Sequence, residues 1–372
     1  MNKIEELIEK YCPDGVEFRN LEDCCVILDS KRKPVTKAAR ESGEYPYYGA
    51  NGIQDYVSDY IFDGTFILVG EDGSVVTEFG TPVVNWATGK IWVNNHAHII
   101  SEKEDVKLRY LFHCLQTINV RDLIHGNIPK LNQGDFRGLR IPVPPIEVQE
   151  EIVRILDNFT ELTAELTAEL TARKQQYEFY RDKLLTFETE KVEWLPLREV
   201  CKLSAGGDVP KDRYSKEKTE KYFIPIYSNG IGDNAIYGYT DIAKIKTKCV
   251  TIAARGTIGY CALRKEPFYP IIRLISAEPD ERLMAEFLYH YLQTVKFKIP
   301  ETGIPQLTIP MVSDYLVPIP SLQIQERIVN VLDNFDKICS DLSIGLPAEI
   351  EARQKQYEYY RNKLLSFKEK KV

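Results

Sequence analysis

The chain carries two sequence blocks twice, and this duplication limits the folds that it can adopt. Residues 141–159, IPVPPIEVQEEIVRILDNF, return as VPIPSLQIQERIVNVLDNF at 317–335, with ten of nineteen positions identical. Residues 172–187 return at 352–367 with eleven of sixteen positions identical. The two offsets, 176 and 180 residues, are far longer than a solenoid unit of roughly 20–50 residues. The pattern therefore predicts a duplicated domain-plus-helix, which suggests a target in two parts.

The bulk composition is typical of a soluble protein with two or three domains. The 372 residues are 44% hydrophobic and 28% charged, which is ordinary for globular proteins. No apolar run approaches the length of a membrane span, and the N-terminal segment lacks the apolar core of a signal peptide. The eight cysteines form no CxxC pair, so we expect a cytoplasmic protein with free thiols. His96 and His98 have no matching Cys/His pair, and no metal site is predicted.

The charge balance leaves a nucleic-acid partner open. The net charge is −7, but the acidity lies in the first half of the chain. Residues 1–145 carry 16 basic and 21 acidic side chains, whereas residues 192–320 carry 17 and 15. Phosphate binding depends on where charges cluster and not on their sum. The counts therefore neither support nor exclude DNA binding.

Four segments follow one another along the chain. Residues 1–145 and 191–320 contain short β-prone runs separated by Gly, Asn and Pro turns. Residues 146–190 are predicted as one long helix, because no Gly or Pro occurs between 146 and 188. Residues 321–372 are predicted as a second helix, with a kink or break near 344–347 where Gly345 and Pro347 interrupt the pattern.

The two globular segments share turn residues while the residues between the turns differ. This similarity fits two domains of one fold, each reading something different. The parallel stretches are Tyr45–Ile53 with Ile224–Ile231, Val69–Val75 with Ala253–Gly259, and Asn127–Leu131 with Gly303–Leu307.

The repeated blocks resemble the conserved regions of the specificity subunit of type I restriction-modification systems. The resemblance rests on Pro-x-Pro followed by Gln-Glu-x-Ile-Val-x-x-Leu-Asp-Asn-Phe, and on Gln-Tyr-Glu-(Phe/Tyr)-Tyr-Arg-(Asp/Asn)-Lys-Leu-Leu, each present twice in register. It covers the whole chain: recognition domain 1–145, helix 146–190, recognition domain 191–320 and helix 321–372. It implies an α+β fold in which two target-recognition domains of mixed α/β structure are separated by two long helices, packed as an antiparallel coiled coil with a pseudo-twofold repeat.

The resemblance also implies a function without catalysis. Each domain would read one half of a split, asymmetric site in double-stranded DNA, while the helices set the half-site spacing. Two methyltransferase subunits and restriction/translocase subunits would bind this chain and carry S-adenosylmethionine, ATP and magnesium, so no cofactor is expected here. The sequence shows no methyltransferase, dinucleotide or P-loop motif. Two alternatives remain open: a coiled-coil adaptor whose globular ends bind proteins, and a nuclease or methyltransferase fragment.

Residues 163–170 read Thr-Ala-Glu-Leu twice. In the family that the chain resembles, such a tetrapeptide sets the spacer between half-sites. Four helical residues add about 6 Å and about 40° beyond a full turn, and the angular step is close to that of one base pair. The alternative is a run of good helix formers with no further role.

The candidate site residues fall into two groups. The coiled-coil positions are Leu162, Leu166, Leu170, Tyr177, Tyr180, Leu184, Leu332, Phe335, Tyr357, Tyr360 and Leu364. The side chains suited to base edges or phosphates are Lys31, Arg32, Lys33, Lys37, Tyr47, Asn51, Gln54, Lys90, Asn94, Asn95 and His96 in the first domain, and Lys211, Arg213, Tyr227, Asn229, Tyr237 and Arg255 in the second. The alternative for the second group is a solvated basic loop together with ordinary hairpin turns.

Overall fold

A computed structural model describes residues 3–188, 191–299, 305–341 and 343–371 of the chain. Gly303 and Ile304 of the predicted Gly-Ile-Pro turn lie outside these residues. The chain divides into two compact units, Met1–Leu166 with Glu349–Val372, and Thr167–Ala348. The segments predicted from the sequence follow chain order, whereas each compact unit combines a globular part with stretches of both long helices.

The described residues form the following helices and strands. The helices are α1 Lys3–Tyr11, α2 Leu21–Cys24, α3 Leu108–Leu115, α4 Gln133–Arg137, α5 Ile146–Leu184, α6 Leu197–Val200, α7 Ala285–Leu292, α8 Ile309–Ser313, α9 Leu322–Ser340 and α10 Leu346–Leu364. The strands are β1 Glu17–Asn20, β2 Val26–Ile27, β3 Ser42–Gly49, β4 Gly52–Val57, β5 Phe62–Gly70, β6 Val84–Val93, β7 Ala97–Ser101, β8 Ile124–His125, β9 Lys130–Leu131, β10 Arg140–Val143, β11 Glu193–Pro196, β12 Cys201–Ala205, β13 Ile224–Tyr227, β14 Ile236–Thr240, β15 Cys249–Ala253, β16 Cys261–Arg264, β17 Tyr269–Pro270, β18 Leu274–Pro279 and β19 Leu316–Ile319. Within these ranges no helix is long and apolar enough to cross a membrane.

The first unit is built on a six-stranded sheet in the order β2-β7-β5-β6-β3-β4. Strand β3 runs parallel to β6, and the other neighbours are antiparallel. Side chains alternate between the two faces of a strand, so β5 contributes Ile67 and Val69 to one buried cluster and Phe66 and Leu68 to another. Because both faces of β5 are covered, its sequence TFILVG is apolar without alternation.

The second unit repeats this construction in two smaller sheets, β12-β18-β15-β16 and β14-β13-β17. Strand β13 runs parallel to β17, as β3 does to β6, and β15 lies between two antiparallel neighbours. Val250 and Ile252 of β15 belong to the same buried cluster as Phe287 and Leu288 of α7. Both units therefore share one arrangement of strands and helix, as the faint repeat of the globular segments predicted.

A short strand pair closes each globular part where the conserved helix begins. In the first unit β1 pairs with β10, with Glu17 opposite Val143, and in the second β11 pairs with β19, with Glu193 opposite Ile319. Each second pair follows the first by 176 residues, the offset of the first repeated block.

A buried glutamine then fixes each helix to its globular part. Gln149 accepts a hydrogen bond from Lys107 N–H (2.9 Å) and donates to the carbonyls of Asp105 and Pro144. Its counterpart in α9, Gln325, makes the same three bonds 176 or 177 residues later. The Gln of the repeated Gln-Glu motif is thus a structural clamp.

The helices meet through the same aromatic contact in each unit. Phe159 of α5 stacks on Tyr360 of α10 at 5.4 Å between ring centroids. Tyr180 of α5 stacks on Phe335 of α9 at 5.8 Å. As residue numbers rise along α5, those of its partners fall, which is the order of an antiparallel pair.

The predicted seam is only partly buried. Leu332 belongs to the buried cluster of the second unit, and Tyr177 and Leu184 pack against it, whereas Tyr357 and Leu364 pack against the cluster of the first unit. Leu166 and Leu170 are half-buried. Leu162, Tyr180 and Tyr360 are 44%, 42% and 40% exposed, because two helices cover only a narrow stripe of each other.

The second long helix stops at Ser340 and resumes at Leu346. Asp341 ends the first piece, and its carboxylate accepts hydrogen bonds from the N–H groups of Ser343 (2.7 Å) and Ile344 (3.2 Å). Pro347 then lies in the first turn of α10, where its missing N–H costs no helical hydrogen bond. The interruption predicted from Gly345 and Pro347 therefore comes just before the proline.

Candidate nucleic-acid interface

Three segments meet at one edge of the first unit: residues 31–37, the turn 71–74 after β5, and the turn 94–96 between β6 and β7. We call them together the first loop surface. Backbone hydrogen bonds hold it: Lys33 N–H donates to the Val93 carbonyl (3.3 Å), and Glu71 N–H donates to the His96 carbonyl (2.9 Å). The Trp92 indole N–H also donates to the Lys33 carbonyl (2.7 Å).

The first loop surface brings together several of the predicted DNA contacts. Their exposed members are Lys31, Lys33, Lys37, Asn95 and His96. The exposed residues Asn51 and Gln54 lie beside it, because Gln54 accepts a hydrogen bond from Asn94 (3.3 Å). Lys90 does not join this group. It is paired with Asp63 at the opposite end of β5 and lies 4.6 Å from the centroid of the Tyr60 ring.

Two first-domain candidates are buried and a third, Arg32, is half-buried, so the structure corrects these three predictions. Tyr47 is 1% exposed, and its hydroxyl accepts the Val35 N–H (3.0 Å). Asn94 is 2% exposed, and its side-chain oxygen accepts the His96 N–H (2.8 Å), which shapes the turn. The side chain of Arg32 is 12% exposed and binds Glu71 (2.6 Å). These residues support the surface and do not offer free donors at it.

Arg32 belongs to a charge cluster beneath the surface. The cluster joins Asp29, Glu71 and His98, whose possible metal-ligating atoms lie within 4.8 Å of one another. His98 hydrogen-bonds Asp29 (2.6 Å), and Lys130 pairs with Glu71 (3.1 Å). The protein's own cations therefore already neutralise the two carboxylates, and the donor set does not require a metal ion.

The pKa values of these carboxyl groups follow from the same contacts. Burial acts to raise the pKa of Asp29, but its hydrogen bonds with His98 and the Ile99 N–H, and the nearby Arg32, hold it below the usual value. Burial likewise acts to raise the pKa of Glu71, and Arg32 outweighs this and lowers it. Both groups are therefore held in the charged form.

The second unit has an equivalent edge, formed by residues 206–213, the turn 254–257 after β15 and the turn 271–273 before β18. We call it the second loop surface. Ile272 N–H donates to the Gly207 carbonyl (2.8 Å), and Ala254 N–H donates to the Arg273 carbonyl (2.8 Å). Gly206 is required here, because a Cβ at this position would lie 1.9 Å from the Ile271 carbonyl oxygen.

Two neighbouring clefts open on the second loop surface. One, of about 930 Å³, is lined by the candidates Lys211, Arg213, Asn229 and Tyr237. The other, of about 540 Å³, is lined by the candidate Arg255 together with Gln306, Leu307, Thr308 and Ile309. Ile272 and Arg273 line both clefts. The structure thus groups five of the six second-domain candidates.

Three of the second-domain candidates already have partners within the protein. Tyr227 is half-buried, and the Arg264 guanidinium lies 3.7 Å from the centroid of its ring. Arg213 makes a bidentate ion pair with Asp241 (2.8 and 2.7 Å). The Asn229 amide donates to the Arg255 carbonyl (2.5 Å) and so fixes the turn 254–257.

Sequence reasoning missed Asp72 and Arg273. Asp72 hydrogen-bonds His96 at the first loop surface. Arg273 lies at the second, where it follows two isoleucines and precedes a strand, so its local sequence resembles a buried strand. The offset of 177 residues from His96 could have located it, but the turn residues themselves do not match.

The sequence matches a known family in both of its halves. The model of the type I restriction modification DNA specificity domain matches residues 13–173 and again residues 189–352. A protein of Haemophilus influenzae that carries the name of a type I restriction enzyme specificity subunit is 37% identical over 98% of this chain and 98% of its own length. A type I restriction enzyme specificity subunit of Escherichia coli is 30% identical over 82% of this chain and 85% of its own.

A solved structure shows the same fold at low sequence identity. The crystal structure of a type I restriction-modification system S subunit from M. genitalium superposes with a TM-score of 0.63 at 16% identity. The match covers 94% of this chain and 96% of the other. The two-domain, two-helix architecture is therefore shared.

Proposed function

The chain belongs to the type I restriction modification DNA specificity family, and from this premise we propose that it reads a split, asymmetric DNA site for a type I restriction-modification complex. The family predicted from the repeated blocks is confirmed. Each globular domain reads one half of the site through its loop surface. The conserved helices join the two domains and set the distance between the half-sites.

The observation that carries this proposal is one framework built twice with different side chains at its loop surfaces. The closing strand pairs and the glutamine clamps repeat at an almost constant offset. The equivalent loops do not repeat: SKRKPVTK stands at 30–37, whereas residues 206–213 read GGDVPKDR. Two domains with the same backbone framework and different loop surfaces suit two different half-sites. The complete site is then not a palindrome.

The position of the Thr-Ala-Glu-Leu copies supports a spacing role. Helix α5 runs through both copies without a break. The two compact units meet along the chain between Leu166 and Thr167, which is the junction of the two copies. Removal of one copy would thus shorten the helix where it passes from one unit to the other.

Catalysis is assigned to partner subunits. We propose that two methyltransferase subunits bind the conserved helices, with restriction/translocase subunits joining them, in the cytoplasm. S-adenosylmethionine, ATP and magnesium would be bound by those partners. Phe179 and Tyr359 support a protein partner, because these equivalent aromatic side chains of the repeated blocks are each 61% exposed.

The test is to express the chain with its methyltransferase subunit and to map methylated bases across a genome that lacks other methyltransferases. The expected result is one site with two unlike half-sites and a fixed spacer. Methylation at a continuous palindrome would refute the bipartite reading. If the complex neither methylates nor retards DNA at low salt, the adaptor alternative is favoured instead.

A further inference from the structure

The turns 94–96 and 271–273 occupy the same place in the two domains. In the first domain Glu71 N–H donates to the His96 carbonyl (2.9 Å), and in the second Ala254 N–H donates to the Arg273 carbonyl (2.8 Å). Each carbonyl belongs to the residue just before the matching strand, β7 or β18. His96 and Arg273 therefore occupy equivalent positions, although the turns 94–96 and 271–273 have no residue types in common.

The two loop surfaces have a second pair of equivalent residues, which follow the N–H donors Glu71 and Ala254. Asp72 comes directly after Glu71, and Arg255 comes directly after Ala254. The first domain thus presents a hydrogen-bonded pair of Asp72 and His96. The second presents Arg255 and Arg273, which line one cleft of about 540 Å³. One backbone frame carries an acid–histidine pair in one domain and two arginines in the other.

These two arginines differ from the other arginines of their domain. Arg198, Arg213 and Arg282 each pair with an aspartate, and Arg264 hydrogen-bonds Thr251. No carboxylate lies within 4.0 Å of Arg255 or Arg273 among residues 191–299 and 305–341, and neither guanidinium has a hydrogen-bond partner there. Two unpaired guanidinium groups lining one cleft are suited to an external acceptor.

Arg273 also has an unusual backbone. Its φ is 78°, and it is the one residue other than glycine with a positive φ in the described part of the chain. A side chain in this region strains the backbone, and such strain occurs most often at functional sites. Glycine would adopt the conformation without strain, so an arginine at this position lowers the stability of the fold.

We propose that Arg273, with Arg255 beside it, reads guanine in the half-site of the second domain. Guanine presents N7 and O6 together in the major groove, and the parallel N–H groups of a guanidinium match this pair of acceptors. The equivalent residues of the first domain, Asp72 and His96, lack that fork of donors, so the two half-sites differ at the corresponding base. The inference rests on the proposed DNA-reading function.

The test uses the whole complex with methyltransferase and compares the wild type with Arg273→Gly, Arg273→Lys and Lys265→Ala. Lys265 is an exposed cation that follows β16, at the end of the strand remote from the turn 254–257. Lys265→Ala removes one positive charge from the same domain and therefore controls for the change in net charge. Methylation is measured on a plasmid library that is randomised at each position of the half-sites. In parallel, the melting temperature of each chain is recorded.

The wild type should require guanine at a fixed position in one half-site, with roughly 10- to 100-fold discrimination. Arg273→Gly should lose this preference at that position alone, while its melting temperature stays equal or rises because glycine suits the backbone. Arg273→Lys should keep binding but weaken the preference, since the fork of donors is lost. Lys265→Ala should behave as the wild type.

Three results would overturn the inference while leaving the proposed function intact. The first is a wild-type site in which no guanine preference, in either half-site, changes when Arg273 is replaced. The second is an unchanged guanine preference in Arg273→Gly. The third is an equal loss of methylation for all library sequences in Arg273→Gly, which would indicate a phosphate contact. A wild-type complex that methylates no split site would instead refute the proposed function.

Discussion

Replacement of Gln325 by alanine should lower the unfolding free energy of the second unit, because this side chain joins the globular part to helix α9. The Gln325 side chain is fully buried at the start of α9. It accepts the Met284 N–H (2.8 Å) and donates to the carbonyls of Arg282 and Pro320 (2.8 Å each). The first two partners lie just before α7, and the third just before α9, so the three bonds join two elements of the domain core.

The size of the effect follows from these three bonds. A hydrogen bond contributes roughly 1 kcal/mol net, and a buried group left without a partner costs about 1–3 kcal/mol. Gln325→Ala removes one acceptor and two donated bonds, so we expect the unfolding free energy of the second unit to fall by about 3 kcal/mol. Gln323→Ala, an exposed position in the same helix, should change it by less than about 0.5 kcal/mol.

The assay is guanidinium denaturation followed by tryptophan fluorescence. Trp194 is the tryptophan of the second unit, and Trp86 and Trp92 belong to the first. A background with Phe at 86 and 92 therefore reports the second unit alone. A loss of less than about 1 kcal/mol for Gln325→Ala, or an equal loss for Gln323→Ala, would refute the clamp.

Three further outcomes are expected. Burial lowers the pKa of His113, so the unfolded chain takes up a proton at higher pH than the folded chain does. The first unit should therefore lose stability as pH falls below about 6.5. In denaturation at pH 7.5 and 5.5, His113→Gln should reduce the difference in unfolding free energy between the two pH values. Arg32→Ala should lower the unfolding free energy by about 1–3 kcal/mol, because Asp29 and Glu71 lose one of their partners while His98 and Lys130 remain. Arg213→Ala, at an exposed ion pair, should leave the stability nearly unchanged. A double-mutant cycle on Phe159 and Tyr360 should give a coupling of about 0.5–1.5 kcal/mol, and a value near zero would contradict the stacking.

The repeat made most of the architecture predictable. A 176-residue offset in the helix blocks reappears in the strand pairs and clamps, because a duplicated sequence rebuilds the same hydrogen-bond partners. The break in the second helix followed from Gly345 and Pro347, whose backbone limits are local. Such features depend on residues near in sequence, and the sequence therefore reveals them.

The roles of the surface residues could not be predicted in the same way. Arg32 belongs to a basic run that resembles a solvated loop, yet Glu71, which it binds, lies 39 residues away. Tyr47 is buried, and its hydroxyl hydrogen-bonds the backbone of Val35, 12 residues away in the sequence. Arg273 was missed because its equivalence to His96 is set by strand register. The turns 94–96 and 271–273 share no residue types. Long-range partners decide which polar groups remain free.

Mapping of methylated sites in the variant that lacks Thr167–Leu170 shows whether helix α5 sets the distance between the half-sites. The deletion shortens α5 by about 6 Å and turns its two ends by about 40° relative to each other, while the loop surfaces keep their residues. We expect unchanged half-sites with a shorter spacer, at wild-type expression of the complex. Altered half-site sequences, or the original spacer, would contradict this expectation.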